Sequence, residues 1–84
     1  MSTLERRRIE LEWRRFKESS LTPPRRCRTL DELRECVALL CQKIEEFQVN
    51  VGYVPGAVYA LLSQYTQQQN KLLSAAYYRS YGSL

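Results

Sequence analysis

The sequence predicts an all-α protein: a basic amphipathic helix, then an antiparallel helical hairpin that dimerises into a helical bundle. Three observations carry this. Two capping boxes, Ser2/Glu5 and Thr29/Glu32, stand just ahead of periodic apolar runs. Two proline-containing breaks, Ser19–Pro24 and Val51–Gly56, divide the chain. Two apolar runs follow the first break with the 4-3-4-3-4 spacing of a helical seam. No alternating run of useful length competes for a strand.

The first helix is expected over about residues 3–19, within a basic segment 1–20. At 100° per residue Ile9, Trp13 and Phe16 share one stripe. Arg7, Arg8, Arg14 and Arg15 lie on the opposite side, around Leu4 and Leu11. The arginines form two i,i+7 pairs, each about 10 Å apart along the axis. A Pro/Arg linker follows over residues 21–29, carrying Arg25, Arg26 and Arg28.

The hairpin is expected over residues 30–80, with a short tail at 81–84. Its first helix spans about residues 30–50, with Asp31 and Glu32 in the first turn where the helix dipole favours them. Its seam is Leu33, Val37, Leu40, Ile44, Phe47 and Val51. The second helix, about residues 56–80, has Pro55 at its first position and a seam of Val58, Leu62, Tyr65, Gln69, Leu72 and Ala76. Gln69 is the one polar member, a residue type that sets register in coiled coils. Two helices alone leave part of such a seam in water. Ile9, Trp13 and Phe16 cover some of it, and a second copy is expected to cover the rest, with Leu40 and Leu72 near the dimer centre. All of this is one domain of 84 residues.

Composition narrows the function. The chain has no histidine, so the commonest general base and metal ligand is missing. The carboxylate pairs Asp31/Glu32 and Glu45/Glu46 sit in solvated helix positions, and three scattered glycines form no phosphate loop. No enzyme activity, cofactor, metal or small-molecule substrate is expected. The start MSTLERRRIE lacks the apolar stretch of a signal peptide, and no apolar run of 18 residues exists, so no membrane partner is expected.

Charge is the strongest functional signal. Residues 1–28 hold nine basic side chains against four glutamates, whereas residues 29–84 hold four basic and five acidic ones. Eight of the nine are arginine, whose planar fork suits phosphate and carboxylate. A nucleic-acid backbone is the partner this pattern fits first, through Arg7, Arg8, Arg14, Arg15, Arg25, Arg26 and Arg28. The bland alternative is a solvated helix neutralised by pairs such as Glu10–Arg14. A second functional reading makes Ile9, Trp13 and Phe16 anchors that dock the helix in the groove of an acidic partner protein, as a phage or viral accessory inhibitor would. Tyr77, Tyr78, Arg79 and Tyr81 near the C-terminus read as a frayed helix end lying on the bundle.

The three cysteines make an odd number without CxxC spacing. They imply an intracellular, reducing compartment, with Cys36 and Cys41 packed as small apolar residues. Cys27, flanked by three arginines, is expected to be exposed in the linker, with a thiol tilted toward thiolate.

In shape and charge the whole expected bundle resembles the small viral silencing suppressors that bind double-stranded RNA as dimeric helical bundles. The resemblance implies a duplex-RNA partner read by shape rather than by base edges.

Overall fold

The computed structural model describes the backbone of residues 2–82 and the side chains of residues 2–75. Three α-helices hold nearly all of it: α1 (Thr3–Ser20), α2 (Leu30–Asn50) and α3 (Gly56–Gly82). A single 3-10 turn, Pro24–Arg26, lies between α1 and α2. The all-α class is therefore correct, and no strand occurs among the described residues. The expected tail at 81–84 and the terminal tyrosines fall mostly outside the described residues.

Local chemistry explains each boundary. Ser2 Oγ accepts from the Glu5 amide at 3.2 Å, and Thr29 Oγ1 accepts from the Glu32 amide at 3.2 Å, so both caps satisfy a first-turn donor. Leu21 turns extended at the end of α1, and Pro23 and Pro24 keep the helix from resuming. At the end of α2 the amides of Val51 and Gly52 both donate to the Phe47 carbonyl, at 3.0 and 2.9 Å. Gly52 takes a φ of +71°, which a Cβ would disfavour. Pro55 stands just before α3 rather than inside it; its carbonyl accepts from the Val58 amide.

The core is a continuous strip. Leu33, Leu40 and Phe47 of α2 meet Val58 and Tyr65 of α3, and all five are fully buried. Ile9 and Trp13 of α1 seal one side of this strip, with Phe16 half-buried beside Trp13, ring centroids 6.1 Å apart. Leu21, Cys27 and Cys36 close it below. These seam positions are thus already covered within one chain, Leu40 completely; Val37, Ile44, Leu62, Gln69 and Leu72 stay half-buried.

The molecule is a rod, 60 × 20 × 16 Å. Its radius of gyration is 15.9 Å, against about 12 Å for a compact chain of this length. Helix α3, at about 40 Å, outruns α2, at about 31 Å.

Candidate nucleic-acid interface

The geometry of α1 follows from its sequence pattern. Burying Ile9 and Trp13 turns the opposite side outward, and Arg7, Arg8, Arg14 and Arg15 are all exposed there. They flank Leu4 and Leu11, which are 77% and 47% exposed. Each i,i+7 pair therefore presents two guanidiniums about 10 Å apart on a rigid helix.

Among the described residues, none of these arginines pairs with a carboxylate. Among the described residues the ion pairs all belong to Lys43, which meets Glu12 at 2.8 Å and Glu46 at 3.5 Å. The neutralising pair Glu10–Arg14 does not form. Glu12 reaches across to Lys43 of α2 instead. Arg6 lies over the Tyr53 ring at 5.7 Å, which orients that end of α1 against the α2–α3 connection.

The linker extends the basic surface. Arg25, Arg26 and Arg28 are exposed. Arg25 and Arg26, with Lys17 and Glu18, rim an open groove of about 790 Å³ whose floor includes Leu21, Pro23, Leu61 and Tyr65. The linker backbone is held by side chains from two helices. Tyr65 Oη donates to the Thr22 carbonyl at 2.5 Å. The thiols of Cys27 and Cys36 reach the same oxygen at 3.8 and 3.9 Å. Gln68 Nε2 donates to the Cys27 carbonyl at 3.0 Å. These bonds place Arg25, Arg26 and Arg28 at a fixed position beside the end of α1.

The cysteine expectations need correction. Cys27 is fully buried, not exposed, because the 3-10 turn directs its neighbours' guanidiniums to water and its own side chain into the core. Burial, with the neighbouring Cys36 thiol second, pushes its thiol up to about 11, opposite to the thiolate expected from the arginine context. Cys36 is buried as expected, but Cys41 is exposed. No three metal-ligating side chains cluster among the described residues.

Two features escaped the sequence reading. One is Lys43, almost buried against Phe16 and Phe47, with its ammonium 5.3 and 5.2 Å from the ring centroids. Its wheel position, next to Phe47 on the seam edge, was the available signal. The other is the Tyr65–Thr22 bond. A tyrosine in a seam needs a partner for its hydroxyl, but the sequence does not say which.

Ile9 and Trp13 are occupied inside this chain, so they form no exposed docking stripe. No helix of the described residues is long and apolar enough to cross a membrane. Compared with known proteins, the chain matches no family model, no curated protein and no solved structure.

Proposed function

We propose that this protein is a non-enzymatic binder of nucleic acid, with double-stranded RNA foremost, whose α1 arginine face and linker arginines engage the phosphate backbone. One observation carries the reading: Arg7, Arg8, Arg14, Arg15, Arg25, Arg26 and Arg28 are all exposed, and none is neutralised by a carboxylate among the described residues. Unpaired guanidiniums on a rigid helix release counterions from a polyanion without first breaking internal ion pairs. A 60 Å rod suits contact along a duplex, whose shape rather than base edges is then read. In this reading α2 and α3 form the antiparallel hairpin, and two copies present two arginine faces. Three free thiols, two of them within 4 Å of one carbonyl oxygen, support a reducing, intracellular setting.

Fluorescence anisotropy with labelled RNA and DNA duplexes tests this across a salt series. The logarithm of affinity should fall linearly with the logarithm of salt concentration. Replacing Arg7, Arg8, Arg14 and Arg15 together by Ala should flatten that slope and leave helicity unchanged. Absence of binding up to about 0.1 mM protein at physiological salt would overturn the reading, since even non-specific duplex binding is detected in that range.

A further inference from the structure

Helix α1 and the linker cover only one side of the α2–α3 pair. They reach α2 through Cys36 and Lys43 and α3 through Leu61, Tyr65 and Gln68. On a helical wheel these residues lie on one flank of the seam. The other flank carries Leu30, Val37 and Ile44 of α2 and Leu62 and Leu73 of α3. The first four are half-buried and Leu73 is 47% exposed. Gln48 Nε2 donates to Tyr59 Oη across this flank at 3.3 Å, so its two helices are already tied in register.

The flank is self-complementary about one level. Val37 and Ile44 are centred within half a residue of Leu40. So are Arg34 and Glu45, two exposed side chains eleven residues apart and thus on nearly one line of α2. Neither has an ion-pair partner among the described residues. Counting from the Gln48–Tyr59 bond, the pair Leu62 and Gln69 of α3 is centred within about two residues of that same level. Exposed Cys41 lies one residue from it.

We propose that a second copy of this chain covers this flank, with α2 antiparallel to α2 of the partner about a two-fold axis near Leu40. The rotation superposes Val37 on the partner's Ile44 and sets Arg34 opposite the partner's Glu45 twice over. Cys41 then faces its own copy. The covered face, about 31 by 20 Å, removes about 600 Å² per copy, at the lower bound for a specific dimer. The arginine faces of the two α1 helices point away from the contact, so their charge does not oppose it. The contact deepens the two-copy part of the nucleic-acid reading by naming the face that joins the copies, and its test contains no nucleic acid: a monomer that binds duplexes would defeat this proposal and leave the arginine-face reading standing.

Sedimentation equilibrium of the full chain at about 10–200 µM, which detects dissociation constants in the micromolar range, should give about twice 9.9 kDa. Ile44→Asp should return a helical monomer. Arg34→Glu or Glu45→Arg should each weaken association about tenfold by setting two like-charge contacts, and the double swap should restore it. A short bis-maleimide should join two wild-type chains and fail with Cys41→Ser. A single 9.9 kDa species throughout overturns the proposal. So does a dimer unaffected by both Ile44→Asp and the charge swaps, or a cross-link that survives Cys41→Ser.

Discussion

The two halves of this chain are held in place by different physics. Residues 29–84 are joined by an apolar strip, Leu33, Leu40 and Phe47 against Val58 and Tyr65, in which every member is fully buried. Among the described residues of 1–28, Ile9, Trp13, Leu21 and Cys27 are buried. The rest of their attachment is polar and specific: Glu12 to Lys43, Tyr65 to the Thr22 carbonyl, and Gln68 to the Cys27 carbonyl. A half that carries nine basic residues cannot spend many positions on burial. Polar contacts at a few backbone points fix it while leaving its arginines in water. The lesson is that one half builds the body and the other half is mounted on it.

Substitution in the strip should have the largest effect and erase both halves together. Leu40→Asp places an unpaired carboxylate in a site with no solvent exposure. The cost is several kcal/mol, comparable with the whole stability of a small domain. Far-UV circular dichroism should show loss of helix at 25 °C. A cooperative melt close to that of the wild type would contradict the burial of Leu40 in that strip.

Tyr65→Phe should separate the halves. It removes the hydroxyl from the Thr22 carbonyl, which keeps the two thiols, and leaves the ring in the strip, so the loss should be about 0.5–1.5 kcal/mol. Hydrogen exchange should rise first in the linker amides Arg26 and Cys27, whose bonds lie next to the lost contact, while α2 amides stay protected. Uniform loss of protection across both halves would show that the linker bond also secures the strip.

Alkali should act in the same place with a smaller effect at moderate pH. Cys27 has an ordinary value of 9.0, raised in the fold to about 11, first by burial and then by Cys36. The unfolded chain loses that proton from about pH 9, while the folded chain keeps it to about pH 11. Stability is therefore fully present below pH 9 and lost as pH rises through 11. Tyr65 is raised by burial in the same direction. For Lys43 burial pulls the value down, but Glu12 and Glu46 outweigh it and leave it raised, which has the same sign. Thermal melts should be flat from pH 6 to 8 and fall above pH 9. A midpoint unchanged at pH 10.5 would contradict the burial of these groups.

Helix existence, type and limits were legible because they depend on contacts three and four residues apart. The caps at Ser2 and Thr29, the prolines after α1 and the glycine at 52 act within a single turn of chain, so the sequence displays them directly. The outward arginine face was legible for the same reason: once Ile9 and Trp13 are buried, helical period alone sends Arg7, Arg8, Arg14 and Arg15 to water. The cysteines were misjudged because the linker has no period. Nothing local says that Cys27 turns inward while Arg26 and Arg28 turn out; the decision belongs to Tyr65 and Gln68, 38 and 41 residues away. Lys43 is similar, since its neutralising Glu12 lies 31 residues earlier. The sequence by itself thus determined three helices, their faces and the charge they carry. Only tertiary structure decided which flank of α2 and α3 the first helix covers and which it leaves open. That choice rests on long-range hydrogen bonds and ion pairs, whose partners are set by packing rather than by spacing along the chain.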